Sequence, residues 1–279
     1  MLIKNILLGL LLVAVTSCEN KKEEKVDSDK PAKNEIVSKD TTQKNRETLN
    51  DEATMLQMKQ VPVLCYHHIK EQVKNNDVYA VTISEFASHM KMLADSGYES
   101  ILPQQYLDYL QYGTALPAKP VMLSFDDTRV EHSTIAAKEM SKYGFKGAFF
   151  IMNIAIGKPN YMSAEQIKGL SDSGHLIGSH TWDHQNSKNI HGDDWIKQLD
   201  EPRAKLVSIT GKPVDFFAYP FGVWTDSAAY QLEQRGMKAA FILTQKRSET
   251  DPLYTIRRMI VPSGWNGIKL KKFMDSQFW

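Results

Sequence analysis

The sequence predicts an α/β protein built on parallel strands. Seven short apolar runs, rich in β-branched and aromatic residues, are typical of buried strands, and stretches with helical spacing of apolar residues separate them. Four of the helical stretches end at a glycine, after which an extended apolar pattern resumes. Helix, glycine and strand in repeated succession favour a parallel arrangement, either an open sheet or a barrel, with the chemistry at the carboxyl ends of the strands.

The seven candidate strands lie between residues 61 and 261. Each is a compact apolar run bounded by polar or turn-forming residues, as expected of strands that are buried on both faces. In chain order they are Val61–Ile69, Val121–Phe125, Gly147–Ile151, His175–Gly178, Phe216–Tyr219, Ala239–Leu243 and Ile256–Val261.

The helices between these strands have recognisable beginnings and ends. Thr82 and Glu85 have the spacing of a capping box, in which each side chain bonds the backbone amide of the other residue, and Ser163 and Gln166 repeat it. A glycine tolerates the left-handed conformation just past a helix end. The glycines predicted to end helices are Gly97, Gly144, Gly174 and Gly236.

The composition excludes several classes of protein. Hydrophobic residues make up 42% of the 279 residues, which is enough for a sizeable core and excludes a fully disordered chain. The 34 basic and 33 acidic side chains give a net charge of +1, so there is no electrostatic reason to expect a nucleic-acid partner. With two cysteines, a disulfide framework or a multi-cysteine zinc site is excluded, and glycine-rich nucleotide-binding loops are absent.

The first 59 residues are predicted to be a targeting signal followed by a flexible tether. Residues 1–18 have a cation, a short apolar run and the ending Val-Thr-Ser-Cys18, which resembles a bacterial lipoprotein signal; a plain signal peptide is the alternative. Residues 19–59 are rich in charge of both signs and poor in large apolar residues, so we expect a flexible tether. Residues 60–279 are then expected to form a single folded domain.

Two adjacent acids follow the second candidate strand, in the sequence Ser124-Phe-Asp126-Asp127. Their α-carbons are about 3.8 Å apart, so either a cation offsets the two charges or one acid keeps its proton. A divalent metal bound by one carboxylate would offset the charge and leave the other carboxylate as a base. The alternative is a turn in which the acids cap the next helix.

Two histidines, His180 and His184, follow the fourth candidate strand. Histidines four residues apart lie on one face of a helix and can share one ion. A zinc-protease motif needs glutamate directly after the first histidine, and this chain has Thr181 there. Together with the Asp pair, the histidines predict a metal site with open positions for water and substrate. Surface histidines in a polar loop are the alternative.

Two further segments place polar groups at strand ends. In Phe216–Gly222, Pro220 has no amide hydrogen, but the amide of Phe221 can face a developing oxyanion; a plain turn is the alternative. In Tyr66–His68, at the end of the first strand, a histidine can act as an acid–base group, and a structural histidine is equally compatible with the local sequence.

Together these motifs resemble the polysaccharide deacetylases of carbohydrate esterase family 4, over about residues 61–261. The Ser-Phe-Asp-Asp run matches the family signature, and His-Thr-Trp-Asp-His matches its second motif. The resemblance implies a distorted (β/α) barrel of about seven strands as a single catalytic domain. It also implies Asp126 as base, an oxyanion amide at Phe221, and a metal ion on Asp127, His180 and His184.

Within that family the chain resembles exported deacetylases of poly-N-acetylglucosamine, whose general-acid histidine lies in an N-terminal Tyr-His motif. This implies His67 as the acid. Two positions depart from the family pattern. Thr128 replaces the usual glycine after the Asp pair, and Ala218 stands where many members have an arginine that positions the base. The candidates to replace that arginine are Arg257 and Arg258.

The activity implied is metal-dependent removal of N-acetyl groups from a hexosamine polysaccharide, which is poly-N-acetylglucosamine, a chitin-like polymer or a peptidoglycan glycan. One divalent ion is expected as the cofactor, Zn²⁺ first, with Co²⁺ or Ni²⁺ as alternatives. Tyr219 and Trp224 join Phe221 as candidate oxyanion or substrate-binding residues, although a tryptophan there can equally be part of the core.

Two other functions stay open at this point. One is removal of O-acetyl groups from xylan or a similar polymer, and the other is a catalytically silent glycan-binding lipoprotein. The intact acid, base and ligand residues argue against the second. We expect a monomer whose partners are an acetylated polysaccharide and a membrane, held to the bacterial cell envelope through lipidated Cys18, facing the periplasm or on the outer-membrane surface.

Overall fold

Seven parallel strands form a closed barrel in the computed structural model, which describes residues 49–74, 77–243 and 246–278. The strands of the described residues are β1 (Val63–Tyr66), β2 (His68–Lys70), β3 (Ala80–Thr82), β4 (Glu99–Ser100), β5 (Pro120–Phe125), β6 (Gly147–Ile151), β7 (Leu176–Ser179), β8 (Phe216–Ala218), β9 (Ala239–Leu243) and β10 (Ile256–Ile260).

The barrel closes because β1 pairs with β5. Neighbours run β1, β10, β9, β8, β7, β6 and β5, and β5 returns to β1 with the register Val63 to Met122 and Tyr66 to Phe125. The short strand β4 pairs with the beginning of β5, and β2 and β3 form a separate parallel pair. The prediction of a distorted (β/α) barrel of about seven strands is therefore confirmed.

Eight α-helices accompany the strands in the described residues. The helix α8 packs against α2, and 3-10 and π-helical turns fill several of the connections. The helices are α1 (Glu52–Gln57), α2 (Ile83–Asp95), α3 (Pro103–Tyr112), α4 (Ala137–Ser141), α5 (Ala164–Asp172), α6 (Glu201–Thr210), α7 (Asp226–Gln234) and α8 (Gly267–Phe278).

The predicted helix signals are present in the structure. Both capping boxes form, with the Thr82 amide donating to a Glu85 carboxylate oxygen at 2.7 Å and the Ser163 amide donating to Gln166 at 2.9 Å. The four predicted glycines all have φ between 71° and 86°, the left-handed region that ends a helix without steric penalty.

One predicted strand differs from the observed structure. The run Val61–Ile69 divides into β1 and β2, because the chain leaves the barrel at His67 and residue 68 pairs instead with Ala80 of β3. An apolar run predicts extended backbone, but it does not predict which partner strand each half of the run will take.

Alternate residues of the barrel strands face opposite sides, as the period of two requires. In β8, Phe216 and Ala218 belong to the hydrophobic cluster that fills the barrel, and that cluster continues into residues of α1 and α3. Phe217 belongs instead to a cluster shared with α7. Since α1 and α3 pack beneath the amino ends of the strands, the carboxyl ends remain for the polar residues.

The domain begins ahead of the boundary that composition predicts. Residues 49–59 were expected in the tether, but Glu52–Gln57 is a short helix with Asp51 as its N-cap. Met55 is 6% exposed and packs in the cluster that fills the barrel, and Asn50 donates to the carbonyl of Leu110 at 2.9 Å. A few apolar side chains suffice to dock such a segment when a core accepts them.

The remaining predicted N-terminal features, the signal of residues 1–18 and the tether from residue 19 to residue 48, lie outside the described residues. Within the described ranges, every helix is too short or too polar to traverse a bilayer.

Candidate active site

The two adjacent acids end β5, and their side chains turn to different neighbours. The amide of Asp126 donates to the carbonyl of Tyr66 at 3.0 Å, which extends the pairing of β5 with β1. Asp127 and Thr128 then adopt left-handed φ angles of 75° and 62°. This sharp turn directs Asp126 into the barrel and Asp127 toward the loop after β7.

The left-handed backbone at Thr128 explains why the family usually has a glycine there. A left-handed conformation costs a residue with a β-carbon about 1–2 kcal/mol, and a β-branched residue is the least suited to it. Here the buried Thr128 hydroxyl accepts from the amide of Met152 at 2.7 Å and donates to its carbonyl at 3.2 Å. These bonds tie the Asp turn to the end of β6 and offset the strain.

Arg258 holds Asp126 in a two-pronged ion pair. Its two terminal nitrogens donate to the two carboxylate oxygens of Asp126 at 2.7 and 2.8 Å, and both side chains are almost completely buried. Burial alone would raise the pKa of Asp126, but the adjacent guanidinium, together with the nearby imidazoles of His180 and His67, outweighs burial and lowers that pKa below its usual range. Asp126 is therefore a fixed carboxylate that remains ionised.

Arg258, and not Arg257, takes the place of the arginine missing at Ala218. Neighbouring residues of β10 face opposite sides. The Arg258 side chain lies inside the barrel, where its guanidinium group packs over the ring of Phe150. Arg257 faces outward, donates to Gln60 at 3.2 Å and stacks on the ring of Phe278.

Three side chains gather around a common point on the other side of the Asp turn. The carboxylate oxygen Oδ1 of Asp127 lies 3.6 Å from His180 Nε2 and 3.4 Å from His184 Nε2. Asp127 Oδ1 and His180 Nε2 are buried, and neither has a hydrogen-bond partner among the described residues. Buried polar atoms without partners are rare, and a shared ion accounts for both.

The tautomer of His180 suits a metal ligand. Its Nδ1 donates to the carbonyl of Ala218 at 2.7 Å, which leaves the lone pair of Nε2 directed at Asp127. A backbone carbonyl that orients the second ring nitrogen is the usual support for a ligating histidine. One carboxylate and two imidazoles, with orphaned donor atoms facing one another, therefore fit a divalent ion of the zinc type.

Charges in this group are strongly coupled in the absence of an ion. Burial opposes charge on Asp127, but the surrounding imidazoles outweigh it and lower the pKa of this acid. Burial also disfavours the protonated form of His180, yet Asp126 and Asp127 raise its pKa. For His184, burial and the nearby His180 lower the pKa to about 4, so its imidazole is neutral near neutral pH.

The two histidines meet through a turn, so the helical placement predicted from their spacing is wrong. Thr181 and His184 have left-handed φ angles of 65° and 67°, and the amide of His184 donates to the Thr181 hydroxyl at 2.9 Å. The spacing of four still brings both rings to one ion, because the turn folds the chain back within the same number of residues.

His67 faces the base, whereas His68 does not. Cys65 and His67 are two residues apart, so both point toward Asp126: the Cys65 thiol donates to Asp126 Oδ2 at 3.6 Å and lies 4.0 Å from His67 Nδ1. His68 Nδ1 lies 3.0 Å from a carboxylate oxygen of Glu131, on the opposite side. Burial lowers the pKa of His67, although the two nearby aspartates act against this.

The third motif forms the rim of the site. Phe221 is 57% exposed with a φ of 61°, and its ring centroid lies 4.5 Å from that of His184. Gly222 follows with a φ of 66°, and a side chain there would collide with Leu243. The turn therefore places Phe221 beside His184. Its left-handed backbone matches that of four other residues of the site, which are Asp127, Thr128, Thr181 and His184.

The substrate-binding role predicted for the Tyr219 side chain is wrong. Tyr219 has no exposed surface and packs edge-to-face on Phe217, outside the barrel, because it alternates with Ala218 along the strand. Trp224 is half-buried against the same cluster. The substrate-contact role of Trp224 stays a prediction.

Two neighbours of the site were not singled out from the sequence. Tyr79, just before β3, is 49% exposed, and its ring lies edge-on to His67 with centroids 5.1 Å apart. No sequence pattern connects the two residues. Cys65 entered the prediction only as one of the two cysteines of the chain, although its position two residues before His67 in a strand is a signal that both share a face.

Comparison with known proteins identifies the domain. Residues 113–248 match the family model described as polysaccharide deacetylase. The chain is 26% identical over 190 residues to the poly-beta-1,6-N-acetyl-D-glucosamine N-deacetylase of Staphylococcus aureus strain MSSA476. That match covers 63% of this chain and 64% of the staphylococcal protein, so it spans less than two thirds of the relative's length.

Solved structures share the fold. The deacetylase PplD of Streptococcus pyogenes superimposes with a TM-score of 0.71 at 20% identity, covering 77% of this chain and 98% of that one. The structure of IcaB from Ammonifex degensii superimposes with a TM-score of 0.63 at 26% identity, covering 74% of this chain and 93% of that one.

Proposed function

Because this chain carries a polysaccharide deacetylase domain, we propose that it hydrolyses the N-acetyl groups of a poly-N-acetylglucosamine-type polysaccharide. In this proposal Asp127, His180 and His184 hold one divalent ion, Zn²⁺ first. Asp126 is the base and His67 is the acid.

The observation that carries the proposal is the different bonding of the two adjacent carboxylates. Both oxygens of Asp126 accept from Arg258, whereas Asp127 has an oxygen without a donor and faces two imidazoles. Hydrolysis of an amide needs both a base that keeps its position and a separate centre that polarises the carbonyl. The two acids supply one function each.

When bound, the ion would supply Lewis acidity at the acetyl carbonyl and lower the pKa of water. Asp126 takes the proton of the attacking water. Arg258 prevents the carboxylate from turning toward the neighbouring ligands, and it keeps the pKa of Asp126 low enough that the base is ionised in all but acidic solution.

His67 gives a proton to the departing amine. Burial lowers the pKa of this imidazole, which makes the protonated ring a stronger acid toward a poor leaving group. The Asp126 charge next to it partly restores the protonated form. The backbone amide of Phe221, at the rim beside His184, is the candidate donor to the tetrahedral oxyanion.

Two exposed rings support a sugar polymer as substrate. The Tyr79 ring lies edge-on to His67, and the Phe221 ring lies edge-on to His184, so aromatic surface borders the site on two sides. Flat apolar rings with exposed faces are suited to the apolar faces of sugar rings. The staphylococcal relative is named for poly-β-1,6-N-acetylglucosamine, which makes this polymer the first to test.

An acetate-release assay tests the proposal. Purified protein, stripped of metal and reloaded with Zn²⁺ or Co²⁺, is incubated with poly-N-acetylglucosamine, chitin oligomers, peptidoglycan and acetylated xylan. We expect acetate from a glucosamine polymer only with metal present, and none from Asp126→Asn protein with the same metal content. Acetate from xylan alone would replace the proposal with an O-acetyl esterase, and release that is unaffected by metal removal would refute the metal role.

We also propose that Cys18 is lipidated and that the domain is tethered to the bacterial cell envelope. The Val-Thr-Ser-Cys18 sequence after a short apolar run supports this. Mass spectrometry of the mature protein should show a lipid-modified Cys18 at its N-terminus, and Cys18→Ser protein should be unprocessed or released from membranes. An unmodified N-terminus elsewhere in the chain would contradict the proposal.

A further inference from the structure

A second group of potential metal ligands lies on the acid–base side of the site. Cys65 Sγ, a ring nitrogen of His67 and a carboxylate oxygen of Asp126 all lie within 4.8 Å of one another, and all three residues are buried. We propose that these residues form an inhibitory site for a thiophilic divalent ion. The inhibitory effect rests on the proposed function, whereas binding of the ion does not.

The distances approach those of a tetrahedral zinc site. Zinc bonds of about 2.3 Å to sulfur and about 2.1 Å to nitrogen or oxygen separate tetrahedral ligand atoms by about 3.6 Å. The observed separations are 3.6 Å from Cys65 Sγ to Asp126 Oδ2 and 4.0 Å from Cys65 Sγ to His67 Nδ1. The third separation, from a His67 ring nitrogen to the Asp126 carboxylate, is at most 4.8 Å, so His67 has to move toward the other two ligands to bind the ion, and the fourth position is left for water.

The ion takes the place of one proton. The Cys65 thiol donates to Asp126 Oδ2, and a metal between these two atoms displaces that proton to solvent while the sulfur becomes a thiolate. A carboxylate oxygen has more than one lone pair, so the hydrogen bonds from Arg258 to Asp126 can persist. Thiolate, carboxylate and guanidinium together carry one net negative charge, which a divalent ion outweighs.

Ligand softness separates this site from the first one. The group formed by Asp127, His180 and His184 contains no sulfur and accepts several divalent ions. The second group contains a thiolate, which favours Zn²⁺ and Cd²⁺ over Mn²⁺ or Mg²⁺. Loss of the thiol proton also makes the second site the weaker one, so it fills only when metal is in excess.

Filling the second site removes both proton-transfer groups at once. A coordinated Asp126 cannot accept a proton, and a coordinated His67 Nδ1 fixes the imidazole in a neutral form that cannot protonate the amine. We therefore expect excess Zn²⁺ or Cd²⁺ to inhibit by about 10²-fold or more, the scale of a lost acid–base group, while excess Mn²⁺ does not inhibit.

Cobalt spectroscopy tests binding independently of turnover. The full chain with Cys18→Ser has Cys65 as its sole thiol, and it is titrated with Co²⁺ after metal removal. The first equivalent should give visible bands without a thiolate-to-cobalt charge-transfer band in the near ultraviolet, and the second equivalent should add that band. Absence of the band in excess Co²⁺, or its appearance with the first equivalent, overturns the proposal.

A matched variant tests the inhibition. Cys65→Ser, in the same Cys18→Ser background, keeps a donor to Asp126 but loses the soft ligand. It should lack the charge-transfer band. The Zn²⁺ concentration that halves the rate of the variant, relative to its own rate without excess metal, should be at least about tenfold higher than for the parent. Equal Zn²⁺ inhibition in both proteins refutes the site. If the variant does not fold, the band of the parent still decides whether the second ion binds.

Discussion

The two halves of the site use neighbouring residues of the same type in opposite ways. In the base half, Arg258 donates to both oxygens of Asp126 and the Cys65 thiol donates to one of them, so the carboxylate is held in place. In the ligand half, Asp127 Oδ1 and His180 Nε2 face each other without a donor between them. The base half comprises Cys65, His67, Asp126 and Arg258, and the ligand half comprises Asp127, His180 and His184.

This difference shows that the neighbours, and not the residue type, assign the role of an acid. Both aspartates have lowered pKa values, but Arg258 acts together with His180 and His67 on Asp126, whereas imidazoles alone lower the pKa of Asp127. An arginine cannot be exchanged for a metal, because it keeps its charge at all ordinary pH values. Imidazoles can release their protons and take an ion instead.

Exchange of one aspartate at a time gives the largest expected effect. Asp126→Asn should keep its metal and lose about 10²–10⁴-fold of its turnover, because the amide cannot accept the proton of water. Asp127→Asn should lose metal affinity first. Metal analysis and acetate release on both variants check this, with Asp183→Asn, an exposed acid between the two histidines, as the control. Metal loss in Asp126→Asn with activity restored by excess metal would reverse the two roles.

Removal of Arg258 should destabilise the fold as well as the reaction. Arg258→Met leaves Asp126 as a buried charge without its partner, which typically lowers the free energy of unfolding by about 3–5 kcal/mol. Arg258→Lys keeps the positive charge but loses the second hydrogen bond to Asp126, so the decrease in its free energy of unfolding should be smaller. Urea unfolding of the three proteins at neutral pH measures this. Equal stability of Arg258→Met and the parent would contradict the buried ion pair.

The pH dependence of Arg258→Met has a definite sign. Arg258 lowers the pKa of Asp126, so its removal raises that pKa and the variant can relieve the unpaired charge by protonation. The stability deficit should therefore be greatest at neutral pH and shrink as the pH falls, and the acidic limb of the rate profile should move to higher pH. An acidic limb at the same pH as in the parent would show that Asp126 does not govern it.

Replacement of His67 and of its neighbour His68 should have different effects on turnover, and these effects are smaller than those of the aspartate variants. His67→Ala should lower turnover of amide substrates on the order of 10²-fold, while metal content stays normal. His68→Ala should have little effect, because its ring pairs with Glu131. An activated ester, whose leaving group needs no proton, should be far less affected by His67→Ala than the amide is. Amide loss in His68→Ala with normal His67→Ala turnover would reverse the assignment.

The smallest expected effect concerns the rim of the base half. Tyr79→Ala removes the exposed ring beside His67, and one aromatic contact contributes about 0.5–1.5 kcal/mol. We expect KM for a polymer to rise roughly two- to tenfold with kcat nearly unchanged. The control is Tyr230→Ala, a tyrosine on α7 that is similarly exposed. An equal change in both variants would show that the ring has no specific part in binding.

The sequence by itself determined the order of strands and helices, the capping boxes and the motifs that carry the chemistry. These features depend on local properties: the period of apolar residues, the left-handed freedom of glycine and the position of polar residues just after a strand. The site motifs were recognisable because the carboxyl ends of parallel strands meet at one edge of a barrel or sheet.

Tertiary structure alone decided which arginine supports Asp126. In β10 each face carries one arginine, since Ile256 and Arg258 alternate with Arg257 and Met259. The alternation therefore separates the two arginines without indicating which side is the inside. Closure of β1 on β5 defines that inside, and with it the burial of Arg258 and the approach of Cys65 to Asp126. Tyr79 reaches His67 only because β3 pairs with β2, a contact between segments whose sequences carry no shared signal.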